Sequence, residues 1–116
     1  MASTTSPRYD GTDGGRIDLT TARQWAQNYR TANPDQIRSH YFGRDVLDQI
    51  LAQPGCIGIR AYYALTDKKE KELLIVGVDS NGNSMLPASP VIMPGENSIM
   101  DASFPCPPFC PPGTDL

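Results

Sequence analysis

The C-terminal stretch FPCPPFCPPGTDL holds the residues whose chemistry is easiest to name, the cysteines Cys106 and Cys110. A polyproline II chain advances about 3.1 Å per residue, which would place their Cα atoms roughly 12 Å apart. That separation exceeds the limit of about 7 Å for a disulfide. The thiols can bond only if the chain turns back at the Pro-Pro step, which a cis prolyl bond permits. No helix N-terminus is predicted nearby to stabilise a thiolate, so a redox pair is the less favoured interpretation.

One complete set of zinc ligands of the Cys3His type is present: Cys56, Cys106, Cys110 and His40. Zinc accepts such a set, but structural zinc sites usually present two close pairs of ligands, and here only one pair is close in sequence. The favoured interpretation places His40 on a helix surface and makes Cys56 a small buried thiol of the core. We therefore predict no metal and no cofactor. The alternative is a small thiol-based metal-binding or redox protein that uses Cys106 and Cys110.

No group of residues points to a catalytic mechanism. His40 is the only histidine, so any Cys-His or Ser-His pair would depend on it. The glycines of DGTDGG lack the preceding strand and the following lysine of a phosphate-binding loop. Asp79, Asn81 and Asn83 alternate as in a calcium loop, but serine and proline stand where an EF-hand needs glycine and a carboxylate. We predict that the protein is not an enzyme.

The first half of the chain carries helical patterns. Apolar residues, Trp25 and Tyr29 among them, recur at the spacing of one helical face and predict a helix over about residues 20–32. Asp18 or Thr20 can cap its start.

A second helix is expected at once, because Asn33 is a good cap and Pro34 suits the first helical position. It would carry Ile37 and Tyr41 on one side. After a glycine, a third helix is expected over residues 44–52, ended by QPG.

The period then changes from helical to alternating. CIGIRAYYAL alternates apolar and mixed residues and predicts a strand, TDKKEK a turn, and ELLIVGVD the return strand. The return strand is apolar on both faces, so we expect it to be the more central of the two. Asn81 and Gly82 indicate a turn, and a short third strand follows near residues 84–86.

These two periodicities predict a core in which helices pack on one face of the sheet. Its predicted residues are Trp25, Tyr29, Leu47, Ile50 and Leu51 from the helices, with Ile59, Tyr63 and a subset of Leu74, Val76 and Val78 from the strands.

Both ends of the chain differ from the body. Residues 1–16 are rich in serine, threonine, glycine and aspartate and predict a flexible polar arm. Residues 87–116 contain eight of the eleven prolines, no lysine or arginine, and several large apolar residues. We expect this segment to be an extended arm that lies along the domain or a neighbouring copy, with an α+β domain over residues 17–86. The residues expected to make its contacts are Phe104, Cys106, Phe109 and Cys110.

FGRD, ILAQPGCIGIR and GVD..GN, followed by a short CPPFC tail, form a pattern that resembles a group of small uncharacterised bacterial proteins. The resemblance covers the chain from about Trp25 onward. The resemblance implies no activity. It implies only that the FGRD-to-GVD segment and the CPPFC tail are parts of one pattern.

Composition narrows the classes of partner. The chain has 116 residues, 39% of them hydrophobic, and a formal net charge of −3 without a basic cluster on a helix face, so nucleic acid is not an expected partner. No apolar run is long enough to span a membrane, and the polar N-terminus favours the cytoplasm. We predict a structural or interaction protein that self-associates through its terminal arms, as a homo-oligomer or with an assembly partner.

Overall fold

The computed structural model describes residues 8–116. In chain order, its elements are α1 (Leu19–Ala32), β1 (Ser39–Tyr41), α2 (Arg44–Leu51), β2 (Gly58–Leu65), β3 (Lys71–Val78), β4 (Ser84–Met85) and β5 (Phe104–Cys106). They form a three-stranded sheet of order β2-β3-β4 and a separate two-stranded ribbon of β1 and β5. Both are antiparallel, and the predicted α+β class is confirmed. The ribbon was not predicted.

The β2–β3 hairpin forms where the alternating pattern predicts it. Eight residue pairs run from Gly58 opposite Val78 to Leu65 opposite Lys71. On its other side, β3 pairs with β4 and makes an isolated bridge between Ile75 and Met100. The strand that is apolar on both faces is therefore the central one, as predicted.

Helix α1 begins after Asp18, whose side chain caps the first turn. The carboxylate of Asp18 accepts a hydrogen bond from the backbone N–H of Thr21 (3.2 Å) and another from its hydroxyl (2.6 Å). The helix ends before Pro34, which disfavours helical geometry in the residue that precedes it. No residue of α1 is buried, and Trp25 is 60% exposed. The prediction that Trp25 and Tyr29 belong to the core is therefore wrong.

The second predicted helix is also wrong. Residues 34–36 form a turn, and β1 follows it and pairs with β5. The local capping signal of Asn33 and Pro34 is outweighed by pairing with a strand far away in the sequence, since propensity is a weak prior that tertiary contacts override. His40 consequently lies in a strand and not on a helix surface.

The core is small and lies where α2 meets the sheet. Its buried apolar residues are Ile50, Ile75, Val76, Val78, Met85 and Cys106. Ile50, Val76 and Val78 were predicted, and Leu47 and Leu74 are half-buried. Leu51, Ile59 and Tyr63 were predicted as core residues but are exposed. Helix α2 has only eight residues, so a single narrow stripe of it faces the strands.

The terminal segments partly return to the body. Within the predicted N-terminal arm, residues 1–7 lie outside the described residues, and residues 8–16 have no helix or strand. The ring of Tyr9 lies 6.0 Å from the guanidinium carbon of Arg60. In the C-terminal segment, Met100 bonds Ile75 through both backbone groups at 2.9 Å, and Pro105 lies in the two-stranded ribbon, where every strand is an edge.

Candidate functional site

The β1–β5 ribbon positions the C-terminal cysteines. Ser39, His40 and Tyr41 pair with Cys106, Pro105 and Phe104 in that order. Beyond the ribbon the chain reverses through two cis prolyl bonds, and Cys106 and Cys110 form a disulfide with their Cα atoms 4.7 Å apart. We call residues 106–110 the disulfide loop. It is tied down at its base, because the N–H of Phe109 donates to the carbonyl of Pro105 at 2.9 Å.

Three aromatic rings stack along one side of this ribbon. The ring centroids of Tyr41 and Phe104 are 5.6 Å apart, and those of Phe104 and Phe109 are 5.5 Å apart. Both separations lie within the range of about 4.5–7 Å at which aromatic pairs attract each other. Each of the three side chains is more than half exposed, so the cluster is accessible to a partner. We call Tyr41, Phe104 and Phe109 the aromatic cluster; it is suited to contact an apolar partner.

The two sulfurs of the disulfide differ in their surroundings. Cys106 is completely buried, and its carbonyl accepts a hydrogen bond of 2.8 Å from the N–H of Arg38. Cys110 is half-buried, and the guanidinium of Arg38 donates to its sulfur at 3.5 Å. A guanidinium at this position would stabilise a Cys110 thiolate once the bond is reduced.

The structure does not bring the four zinc candidates together. The side chain of His40 bonds the hydroxyl of Ser103 at 2.9 Å, while the Cys56 thiol donates to the carbonyl of Gly58 at 3.2 Å. Two of the cysteines are joined in the disulfide. Among residues 8–116, no group of three or more histidine, cysteine, aspartate or glutamate side chains is placed to hold a metal ion.

Cys56 lies beside the core and is only half-buried. A Cβ built on Gly77 would be 2.8 Å from its sulfur, so the thiol fills the space that this glycine leaves on β3. The site has the character of a packing position, and slow reaction of Cys56 in the native protein stays a prediction.

A groove that was not predicted lies between the far end of the β2–β3 hairpin and β1. Its volume is 610 Å³, with Tyr63 and Leu73 on the hairpin side and Ile37 and His40 on the other. Glu72 also lines it and has a buried carboxylate oxygen without a hydrogen-bond partner in the described part of the chain. Segments remote in sequence form this groove, which is why no local pattern indicated it.

The aromatic cluster contains Phe104 and Phe109, two of the four predicted contact residues, and the disulfide joins the other two. Tyr41 was missed, because it was assigned to a helix. The two adjacent aromatic residues in SHYF, a residue type that is enriched in strands, are the signal that could have indicated a strand there.

None of the helices within residues 8–116 combines the length and the hydropathy needed to cross a membrane. No family model matches the chain, and neither a curated protein nor a solved structure matches it.

Proposed function

We propose that this protein is a non-enzymatic structural or interaction protein that self-associates, with its C-terminal segment docking on a second copy through the aromatic cluster. The observation that carries the proposal is the surface that the chain leaves exposed. It amounts to 9157 Å², whereas a folded monomer of 12.7 kDa exposes about 6,200 Å².

Residues 1–7 can account for at most about 1,000 Å² of this difference, the surface of an unfolded chain of their mass. The remaining excess of roughly 1,900 Å² is about twice the area that one partner buries in a standard interface. Among the described residues, many large apolar side chains contribute to it, including all of the aromatic cluster. Association is the usual way in which a protein removes such surface from water.

The C-terminal segment is suited to docking because its shape is already fixed. The ribbon pairs three residues on each strand, and the disulfide closes the loop beyond it. Binding therefore costs little conformational entropy for the aromatic side chains. Slightly more than half of each aromatic side chain is still exposed, so its full burial by a second copy would contribute about 1–2 kcal/mol.

Phe109→Ser tests this proposal. Phe109 is 62% exposed and lies at the outer end of the cluster, so its removal leaves the ribbon and the disulfide in place. We expect light scattering over a dilution series to show dissociation at a concentration at least about tenfold higher than for the wild type. Ile92→Ser is the matched control, because Ile92 is fully exposed on a loop elsewhere. A monomeric wild type, or loss of association in the control alone, would overturn the proposal.

A thiol-based function is the second candidate, favoured by the guanidinium of Arg38 beside Cys110. In such an exchange one thiolate of a dithiol attacks the Cys110 sulfur and forms a mixed disulfide, while the Cys106–Cys110 bond breaks and Cys106 takes the electron pair and a proton. The second thiolate of the dithiol then closes the dithiol's own disulfide, and Cys110 leaves as a thiolate beside Arg38. The double variant Cys106→Ser/Cys110→Ser separates the two candidates. We expect it to weaken association less than Phe109→Ser does, and the opposite order would assign the function to the thiols.

The disulfide also bears on location. A cytoplasm that keeps thiols reduced would not preserve the Cys106–Cys110 bond. We infer that the bond forms where conditions are oxidising. Alkylation of cells before lysis, followed by a count of blocked cysteines, tests this inference: three blocked cysteines would place the protein in a reducing compartment.

A further inference from the structure

Strand β2 has one paired edge and one open edge. The backbone N–H of Thr66 donates to the carbonyl of Glu70. Because every second residue of an antiparallel strand bonds to the same neighbour, the even-numbered residues of β2 are the ones that bond to β3. The same alternation leaves Ile75 free to bond Met100 on the other side of β3, as observed. The N–H and C=O groups of Ile59, Ala61, Tyr63 and Leu65 therefore point away from the sheet. No backbone group in residues 8–116 bonds to them.

This edge lacks the features that normally prevent a strand from pairing with another chain. Strand β2 contains no proline and no lysine, and its pairing with β3 is unbroken over all eight residues. Its one charged side chain, Arg60, is held by the carbonyl of Gly82 (3.0 Å) and the hydroxyl of Ser84 (2.9 Å). Tyr63 is 96% exposed and Leu65 is also exposed.

We propose that β2 pairs antiparallel with β2 of a second copy, joining two three-stranded sheets into one six-stranded sheet across a two-fold axis. In the register that uses every outward backbone group, Ile59 lies opposite Leu65 of the partner subunit and Ala61 lies opposite Tyr63 of the partner subunit. Tyr62 then faces Tyr62 of the partner subunit on the axis. Two bonds for each hydrogen-bonded pair give about eight hydrogen bonds between the strands.

A second copy fits this edge better than an unrelated partner does. A two-fold contact between copies covers the open edge of both strands at once, whereas an unrelated partner would have to supply an open edge of its own. In this register Arg60 lies opposite Ala64 of the partner subunit, and its guanidinium is held by Gly82 and Ser84 of its own subunit, so the two arginines do not face each other. The protein exposes more surface than a compact monomer of its mass, and the difference is large enough for two standard interfaces. One would lie at this edge and the other at the aromatic cluster.

The contact is separate from the aromatic cluster and goes beyond the function proposed above. Two described segments outside the sheet lie near β2. Gly11 and Asp13 line a pocket with Ile59 and Arg60 at the start of the strand, and Ile37 and His40 lie across the groove from Tyr63. Neither segment bonds to the outward backbone groups of β2, so these groups remain available to a partner strand.

Cysteine cross-linking at the two-fold axis tests the proposal and its register. Cα atoms of a non-hydrogen-bonded pair are about 4.5 Å apart, which is within the range that a disulfide spans. In a Cys56→Ser background, Tyr62→Cys should form a covalent dimer under mild oxidation. Tyr63→Cys is the matched control: it is more exposed but faces Ala61 of the partner subunit and should cross-link far less. Equal cross-linking of the two variants in an oligomeric protein would overturn the proposal.

Ala61→Pro provides an independent test, because it removes an outward N–H without removing a bond to β3. Each two-fold interface loses two hydrogen bonds, and we expect the dissociation constant to rise at least about tenfold. If Phe109→Ser weakens association and Ala61→Pro does not, the edge contact fails and the proposed function stands. If Ala61→Pro weakens association and Phe109→Ser does not, the edge contact stands and the proposed docking through the aromatic cluster fails.

Hydrogen exchange at several protein concentrations identifies what covers the edge. The amides of Ala61 and Tyr63 should be protected at high concentration and lose protection on dilution. Protection that does not change with concentration would mean that part of the same chain covers the strand, and would overturn the proposal.

Discussion

Ile50 and Leu51 are neighbours in α2 with opposite environments. Ile50 is completely buried against the sheet, whereas Leu51 is 45% exposed. Successive helical residues point about 100° apart, so a helix that contacts the sheet along one stripe buries only one of the two. The contrast gives a direct measure of how much this small core contributes to stability.

Ile50→Ala should lower the free energy of unfolding by about 2–5 kcal/mol, because it removes buried methyl groups and leaves a cavity. Leu51→Ala removes a similar group at a position that water already reaches. It should lower the free energy of unfolding by well under half as much as Ile50→Ala does. Denaturant melts of both variants check this expectation. Equal losses would show that α2 is rotated relative to the arrangement described above.

Gly77 is required by close packing. A Cβ at this position would lie 2.8 Å from the Cys56 sulfur and 2.9 Å from the Gln53 amide nitrogen. Gly77→Ala should therefore destabilise the protein by about 1–3 kcal/mol, as overpacking usually does. Gly58→Ala is the control, because a Cβ there meets nothing within 4 Å. Adding Cys56→Ala to Gly77→Ala should recover part of the loss, and no recovery would mean that the thiol is not the obstacle.

Helices α1 and α2 show what local sequence can and cannot predict at the level of elements. Their positions follow from caps and from apolar spacing, which act within a few residues. The faces that they bury depend on which strands lie beside them, and a pattern cannot supply that. Strand β1 was missed for the same reason, since its pairing partner is β5, at the other end of the chain.

The cap of α1 predicts how the helix responds to acid. Hydrogen bonds from the side chain and then the backbone of Thr21 hold the pKa of Asp18 below its ordinary value of 3.8. A lowered folded-state pKa means that the cap contributes fully above pH 3.8, and that its contribution is lost as the pH falls through the folded-state value. Helical circular dichroism should therefore decrease in that acidic range.

Asp18→Asn is the matched variant, because asparagine can cap a helix without titrating. It should keep most of the helical signal at neutral pH and lose the acidic transition that Asp18 causes. Asp18→Ala should lower the helical signal at neutral pH and approach the wild-type signal below the acidic transition. An unchanged acidic transition in Asp18→Asn would assign the transition to another group.

At the scale of the whole molecule, residues 8–116 form two sheets and a small core, and they leave many large apolar side chains exposed. The sequence predicted the hairpin, its central strand and the α+β class, because alternation and turn residues specify them locally. It predicted apolar contact residues at the C-terminus from composition alone. The aromatic cluster could not be assembled from sequence, because its third member, Tyr41, arrives through the pairing of β1 with β5.

The distance along the chain between β1 and β5 has a consequence for the order of folding. Arg38 and Cys110 are 72 residues apart, whereas β2 and β3 are joined by one short turn. A hairpin of this kind closes in about 1–10 μs, and contacts between remote segments form later because closing a long loop costs more entropy. The ribbon should therefore be unformed in the transition state for folding.

Ile75→Val in β3 should slow folding, and Tyr41→Ala in the ribbon should chiefly speed unfolding. Stopped-flow measurements of both arms of the chevron give the two effects separately. A ribbon variant that slows folding as much as the hairpin variant would show that the chain ends meet early. If they meet late, a growing chain presents its hairpin, with β2 unpaired at one edge, before the aromatic cluster exists.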